Sequence, residues 1–199
     1  ASATSVAVAA AAVAAPAATE SRPARTRAKI PVQLKTCNWK PYKGKLTGLY
    51  GYKDAGGITK VKPQFREGGL FGADGLAPVG MANGEWGYLN CRGHTFKVYA
   101  EGGADAFNDD LVRTRNAQGS FGYLNRRGQE VLRAGYGYAT PFCGGIARVG
   151  ERCDIDREGN ATQKVSCDSW RAIGADGKPV DQPKIAPRCE AVLAIPGSP

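Results

Sequence analysis

A short aromatic motif recurs through the middle of this chain of 199 residues at a nearly constant spacing. Each copy reads aromatic, glycine, tyrosine, and the copies begin at Tyr50, Trp86 and Phe121, which are 36 and 35 residues apart. A period in this range is typical of repeat proteins, in which each unit covers its apolar face with its neighbours. The chain is therefore predicted to be an array of similar units.

The residues around each copy predict a β-hairpin. The motif alternates like a strand, and Asn or Asp follows it with glycine three positions later, which suits a type I turn and a bulge. The second strand is expected at segments such as Thr95–Tyr99 and Glu130–Arg133. An apolar piece beginning at Leu76, Leu111 and Ile146 is expected to pair with the next aromatic strand. Because the motif's glycine weakens a strand, we expect it to accommodate a ring from a neighbouring unit.

A fourth copy begins at Trp170, 24 residues after Ile146, whereas the two earlier copies place 10 residues at this interval. Cys153 lies seven residues after Ile146, and Cys167 lies three residues before Trp170, so joining the two cysteines restores the interval of ten. Residues 154–166 are therefore predicted to form a hairpin insertion closed at its base by a Cys153–Cys167 disulfide.

Six cysteines without C-x-x-C spacing favour structural disulfides over a zinc site or a redox dithiol. Cys143 and Cys189 occupy comparable stretches of adjacent units, so we pair them. The remaining pair, Cys37–Cys91, would tie the start of the chain to the second unit. Disulfides persist in oxidising compartments, so the protein is predicted to be exported.

The predicted fold class is all-β, with about four hairpin or meander units after an extended N-terminal arm. The arm covers residues 1–47 and the repeat domain residues 48–199, with units near 50–85, 86–120, 121–169 and 170–199. Ala191–Ile195 is expected to be a strand that closes the last unit. A composition with 27 glycines, 12 prolines and one methionine argues against a helix bundle, and the sequence lacks a long apolar run typical of a membrane span.

Positive charge is concentrated at the N-terminal side of the chain. Residues 1–62 hold 11 Lys and Arg against two acids, whereas the remainder holds 16 of each. The Ala-rich residues 1–20 resemble part of an export signal, or alternatively an organelle transit segment. Either reading implies export, to the periplasm or outside the cell, with the thylakoid lumen or another organelle lumen as the alternative. The arm is expected to bind an acidic partner, unless it is only a solvated tail. The predicted partner-binding residues are Arg22, Arg25, Arg27, Lys29, Lys35, Trp39, Lys40, Lys43 and Lys45.

The remaining polar clusters favour structural roles, and no catalytic residue, metal ligand or cofactor is predicted. Residues 154–160 begin like a calcium loop, but the twelfth position holds Val165 in place of glutamate. The cluster of Asp105, Asp109 and Asp110 is expected to be a solvated loop rather than a carboxylate pair. Cys91 beside His94 is expected to be a disulfide next to a surface histidine rather than a catalytic dyad. Asn160 fits a glycosylation acceptor, which matters only in a eukaryotic secretory route.

The motif resembles the WG repeat family. The resemblance rests on Trp86-Gly87-Tyr88 with Asn90 and Gly93, and on Gly75–Val79, which Gly145–Val149 echoes. It covers roughly residues 48–180, with Tyr50 and Phe121 in place of tryptophan. The resemblance implies a β-rich repeat scaffold, commonly exported or surface-associated, without an assigned catalytic chemistry. The repeat-defining residues are Tyr50, Tyr52, Trp86, Tyr88, Phe121, Tyr123 and Trp170.

The function predicted from these features is non-enzymatic. We expect an accessory subunit or protein-interaction scaffold that is monomeric on its own and docks through its basic arm on protein subunits with an acidic surface, including a membrane-associated complex. Two alternatives are a module that binds a cell-envelope polymer such as polysaccharide or peptidoglycan, and a secreted enzyme inhibitor that uses the 153–167 loop. Nucleic acid is not an expected partner, because export and disulfides argue against it.

Overall fold

The structure of the protein is a computed structural model, and it describes residues 37–158, 162–181 and 183–196. The chain there is all-β, as predicted, apart from a 3-10 turn at Pro187–Cys189. The strands are β1 (Lys40–Lys43), β2 (Tyr50–Lys53), β3 (Thr59–Gly68), β4 (Leu76–Met81), β5 (Trp86–Asn90), β6 (Thr95–Val98), β7 (Leu111–Arg115), β8 (Phe121–Asn125), β9 (Glu130–Tyr136), β10 (Tyr138–Ala139), β11 (Ile146–Glu158) and β12 (Thr162–Gly174).

The strands form three antiparallel sheets in which each strand pairs with its neighbours along the chain. The first sheet has the order β1-β2-β3-β4-β5-β6, the second β7-β8-β9 and the third β10-β11-β12. This meander topology needs only short connections, which suits a chain rich in glycine turns.

The apolar pieces pair forward with the next aromatic strand, as the sequence predicts. Each time, the first residue of the apolar strand lies opposite the residue four positions after the leading aromatic residue. These register pairs are Leu76 with Asn90, Leu111 with Asn125, and Ile146 with Gly174.

The turns after the aromatic strands are held by hydrogen bonds from backbone and side chain together. The Gly93 N–H donates to the Asn90 carbonyl oxygen at 3.0 Å, and the Asn90 N–H donates to the His94 carbonyl oxygen at 2.9 Å. The Asn90 side-chain oxygen accepts from the N–H groups of Arg92 and His94. Gly93 has a φ of 81°, which glycine adopts without steric cost. This pattern confirms the predicted turn and bulge.

The expectation that a neighbouring ring lies against the motif's glycine is wrong. A Cβ on Gly122 would lie 2.7 Å from both the Leu132 carbonyl oxygen and the Ala134 nitrogen. The obstacle is thus the backbone of β9, which crosses β8 closely where the register between the two strands shifts. In β12 the corresponding position holds Arg171. The chain that follows β12 does not run beside it as a full strand in the described residues but forms an isolated bridge between Ile173 and Pro179.

The predicted closing strand at Ala191–Ile195 is also wrong, because this segment forms a turn after the 3-10 helix. The Val180 N–H donates to the Ala172 carbonyl oxygen at 2.9 Å, so the chain just after β12 occupies part of the edge that a closing strand would need. Leu193 is nevertheless buried, and its N–H donates to the Cys189 carbonyl oxygen. The C-terminal segment therefore covers the core with side chains and adds no strand.

Three groups of buried side chains form the interior. The first lies within the first sheet and includes Tyr52, Val61, Phe65, Ala77, Val79 and Leu89. The second joins Val98 of the first sheet to Val112 and Leu124 of the second sheet. The third is shared by the second and third sheets and includes Phe121, Tyr123, Phe142, Val149 and Ile173.

The three disulfides join the pairs that the spacing predicts. They are Cys37–Cys91, Cys143–Cys189 and Cys153–Cys167, with Cα separations of 5.6, 5.5 and 4.0 Å. Cys153 lies directly opposite Cys167, and the β11–β12 ladder continues beyond them to Glu158 and Thr162. Three disulfides are consistent with an oxidising compartment. Among the described residues, no helix has the length and apolarity needed to cross a membrane.

Candidate functional surfaces

The outer side of β1–β3 carries a cluster of cations, which we call the basic face. Its five members are Lys40, Lys53, Lys60, Lys62 and Arg66. Val61 and Phe65 are buried on the inner side of β3, so the alternating positions Lys60, Lys62 and Arg66 point outward. Tyr52 lies opposite Val61 on the buried inner side, so its neighbour Lys53 points outward, and Lys40 lies directly opposite Lys53.

Tyr42 and Asp54 organise this surface. The Lys53 ammonium lies 4.4 Å from the centre of the Tyr42 ring, a cation–π geometry, and the Tyr42 hydroxyl lies 3.5 Å from the Thr59 hydroxyl. Asp54 pairs with Lys60 at 3.0 Å. The hydrogen bond from Lys60, and then that from the Ile58 backbone, hold the pKa of the Asp54 carboxyl below its usual range. The other four cations of the basic face have no carboxylate within 4.0 Å among the described residues.

The predicted arm residues fall into two groups. Arg22, Arg25, Arg27, Lys29 and Lys35 lie outside the described residues. Lys40 and Lys43 belong to β1, and Lys45 lies in the turn that follows it, so this part of the arm is built into the first sheet.

Trp39 and the edge strand β1 have structural roles as well. The Trp39 ring packs edge-on against Phe71, with 5.6 Å between ring centres, so it covers the first core and is not a free platform. Strand β1 is the outer strand of its sheet. Pro41 lacks an N–H, and Lys40 and Lys43 carry positive charge at the two ends of β1. Both features disfavour pairing of this edge with a strand of another chain.

The second aromatic residue of each motif makes the same two contacts in three places. The hydroxyls of Tyr52, Tyr88 and Tyr123 donate to a backbone oxygen 17 residues further on, at 2.9, 2.9 and 2.7 Å. Each ring also packs on a phenylalanine 19 residues further on, at 5.5, 5.1 and 4.7 Å between centres. These partners are Phe71, Phe107 and Phe142. Sequence reasoning missed them, although their constant offset is visible in the sequence.

Burial is the main cause that raises the pKa of these tyrosines. The pKa of Tyr52 rises to about 12 because its ring is removed from water. The pKa of Tyr123 is raised further in the same direction and for the same first cause. Neutral, hydrogen-bonded phenols of this kind hold a fold together and do not point to acid–base chemistry.

The leading aromatic residues differ in their surroundings. Phe121 is fully buried beneath Tyr99 and Tyr138, whose ring centres lie 4.8 and 5.1 Å from its own. Trp170 packs edge-on against Tyr138 at 6.0 Å. Trp86 remains partly exposed and lines an open cleft of about 480 Å³ between the first and second sheets.

Asp105 is not part of a solvated loop, so that expectation is wrong. Its carboxylate receives two hydrogen bonds of 2.9 Å from the Arg113 guanidinium, and both side chains are at least nine-tenths buried. Arg113 also donates to the Ala139 carbonyl oxygen at 3.1 Å. Burial opposes the charged form of Arg113, but the hydrogen bonds and charge of Asp105 outweigh it and raise the pKa of Arg113. The pair therefore joins the loop before β7 to the second and third sheets.

The other two acids of that cluster are exposed and lie in a tight turn. Asp109 accepts from the Gly145 N–H at 2.7 Å, and Asp110 pairs with Arg126 at 2.8 Å. Both have positive φ angles, 49° and 63°. These contacts tie loops together and engage both carboxylates in structural bonds.

The remaining polar candidates carry no site in the described part of the chain. Cys91 is bonded to Cys37, so it cannot act as a thiolate beside His94. Asp154 and Asp156 lie in β11, opposite Ser166 and Lys164, and are not in a loop. No cluster of three metal-binding side chains occurs among the described residues. Asn160 and the tip of the insertion lie outside them.

Comparison of this chain with protein-family models, curated proteins and solved structures gives no significant match. The resemblance to WG repeats therefore rests on the motif and its spacing alone, and it stays a prediction.

Proposed function

We propose that this protein is a non-enzymatic subunit or interaction scaffold of a larger assembly in an exported, oxidising compartment. It docks on an acidic protein surface through the basic face and the basic segment before residue 37. The observation that carries the proposal is the basic face itself. Between residues 37 and 68 the chain has seven lysines and arginines against two acids, and five of those cations share one side of one sheet. A one-sided field of this kind steers an acidic partner to that surface.

The proposal includes an arrangement of four WG-like units. Its support is the shared register of the apolar and aromatic strands at Leu76, Leu111 and Ile146. The recurring bond from tyrosine to a backbone oxygen adds to this support in the first three units. The fourth unit keeps its leading aromatic residue, Trp170, and its glycine turn, but it has alanine in place of the second aromatic residue. Repeat units expose extended surfaces, which suits a docking role.

The test compares two double charge reversals of equal size in the tagged full-length chain. Lys53→Glu with Lys62→Glu alters the basic face, and Arg133→Glu with Lys164→Glu makes the same charge change on exposed strand positions elsewhere. Each variant is expressed in the native source and followed by native sedimentation of the extract. Thermal unfolding of the purified chains shows whether each variant folds.

The wild-type chain is expected to sediment with one protein of fixed stoichiometry, and this association should weaken as salt is raised. The basic-face variant should sediment alone, and the control variant should behave like the wild type. The proposal is overturned if the wild-type chain sediments alone, or if the two folded variants associate equally well.

A further inference from the structure

Trp86 is partly exposed, and among the described residues no aromatic ring packs on it as Tyr138 packs on Phe121. The Tyr88 and Tyr123 hydrogen bonds align the two regions, since both donate to a backbone oxygen 17 residues ahead. Under this alignment, Tyr138, which packs on Phe121, corresponds to Gly103. A Cβ on Gly103 would have no heavy atom within 4 Å, so a side chain at this position meets open space.

The polar side chains around Trp86 are suited to hydrogen bonding with a hydroxylated ligand. The cleft is lined by Glu85, Trp86, Lys97, Arg115, Asn116 and Gln118, together with residues that adjoin them in the chain. Glu85 pairs with Lys97 across the cleft wall. The side-chain oxygen of Asn116 is already occupied by the Ser120 N–H at 2.8 Å, which holds the amide in place.

Arg115 is held in one orientation at the side of the cleft. Its Nε donates to the Gly119 carbonyl oxygen at 2.6 Å, and its guanidinium lies 5.3 Å from the centre of the Phe121 ring. No hydrogen bond to its two terminal nitrogens occurs among the described residues. A fixed, planar guanidinium with open N–H groups binds a carboxylate through two hydrogen bonds.

We infer that this cleft binds an acidic saccharide, such as a uronic-acid unit of a polysaccharide. The C–H face of the sugar ring packs on the Trp86 indole, as apolar surface does on an aromatic face. The sugar carboxylate binds Arg115, and the hydroxyls bind Asn116, Gln118 and Glu85. A single-stranded nucleic acid fits less well, because successive bases stack on several aromatic side chains, whereas the second aromatic residue of this lining, Tyr99, is buried. This inference goes beyond the proposed docking function and uses a different surface.

The experiment titrates the full-length chain with a tetramer of galacturonic acid and, separately, with a neutral cellotetraose of the same length. Tryptophan fluorescence and calorimetry report binding. The acidic tetramer is expected to bind more tightly than the neutral one. Arg115→Met should remove that preference, and Trp86→Ala should weaken binding of the acidic tetramer at least about tenfold, equivalent to about 1.4 kcal/mol.

Two variants of Gly103, which is not among the residues that line the cleft, test the inference without removing a ligand-binding side chain. Gly103→Tyr should cover Trp86 as Tyr138 covers Phe121, and so abolish binding. Gly103→Ala should leave binding unchanged, since its methyl group meets open space. Reversal of Lys53 and Lys62 to glutamate should also leave it unchanged, so failure of this inference is distinguishable from failure of the docking proposal.

The inference is overturned if the wild-type chain binds the acidic tetramer more weakly than about 1 mM. Equal binding by folded Trp86→Ala, or tighter binding of an oligothymidylate of eight residues than of the acidic tetramer, would overturn it as well.

Discussion

At the scale of single residues, the tyrosine of each of the first three motifs connects its strand to the loop that follows. The residue before this tyrosine is glycine, which has no side chain to pack in the sheet and therefore does little to fix the register of the strand. The hydroxyl bond to a backbone oxygen 17 residues ahead pins the following loop to the strand. The phenylalanine 19 residues ahead packs on the same tyrosine ring. The tyrosine therefore holds the loop at two points, through its hydroxyl and through its ring.

Tyr123→Phe is expected to lower the free energy of unfolding by about 1–2 kcal/mol. The substitution leaves the Thr140 carbonyl oxygen without its partner in a buried place. Urea unfolding followed by circular dichroism measures the change. Tyr42→Phe serves as the control, because the Tyr42 hydroxyl makes only an exposed contact of 3.5 Å and should change stability little. Equal effects of the two variants would contradict the assigned role.

Gly122→Ala is expected to destabilise the protein by about 1–3 kcal/mol, since the new methyl group meets backbone atoms of β9 at 2.7 Å and the strands must move apart. Gly103→Ala is the matched control and should change stability by less than about 0.5 kcal/mol. Thermal and urea unfolding of the two variants measure both values. If Gly122→Ala left the free energy of unfolding unchanged, β8 and β9 could not be held as close together as the structure shows.

At the scale of elements, the β11–β12 hairpin differs from the other hairpins in length and in its covalent closure. Each of its strands has 13 residues, and the disulfide lies near the middle of the ladder. The third core extends past the disulfide to Ile155 and Val165, and the ladder continues from there to Glu158 and Thr162. Gln163 near the outer end accepts a hydrogen bond from Tyr99 at 3.3 Å, so this end of the hairpin also contacts the second unit.

The disulfides with the largest and the smallest sequence separation are expected to differ in their contribution to stability. Replacing Cys37 and Cys91 by serine should cost about 4 kcal/mol, and replacing Cys153 and Cys167 about 3 kcal/mol. The reason is that the bonds close loops with sequence separations of 54 and 14 residues, and the longer loop loses more entropy in the unfolded chain. Urea unfolding of the two double variants measures the order.

A larger loss for the Cys153–Cys167 variant would contradict this order. It would mean that the hairpin extension depends on its bond for folding.

At the scale of the whole molecule, charge and burial are separated along the chain. The basic face belongs to the first sheet, whereas the second and third sheets share a core closed by the buried Arg113–Asp105 pair. Buried neutral tyrosines occur in both the first core and the third core. The free energy of unfolding is therefore expected to decrease at alkaline pH.

The free energy of unfolding should be constant up to about pH 10 and should fall as the pH rises towards 12. Burial raises the pKa of Tyr52 and Tyr99 from 10.0 to about 12, so the unfolded chain loses these protons first. Urea unfolding at stepped pH, with phenolate absorbance recorded in parallel, measures the dependence. The Tyr52→Phe variant should show a shallower fall, and an unchanged slope would contradict the role of burial.

Much of the architecture is readable from the sequence because it is local. The aromatic strands, their turns and the forward pairing of Leu111 with the strand that begins at Phe121 follow from alternation, turn chemistry and a constant interval. The Cys153–Cys167 pairing follows from the same interval. The polar clusters were harder to interpret, since the role of Asp105 depends on Arg113, which lies in a different element and is recognisable as its partner only once the sheets are packed.

By itself, the sequence determined an all-β chain of aromatic hairpins with positive charge at one end, because strand alternation, glycine turns and charge are properties of neighbouring residues. Only the tertiary structure decided which aromatic ring is covered, what lies against the motif's glycine and whether the C-terminal segment adds a strand. These outcomes depend on which groups compete for one space or one sheet edge. Tyr138 covers Phe121, whereas Trp86 stays partly exposed, a difference that appears only once the loops are placed.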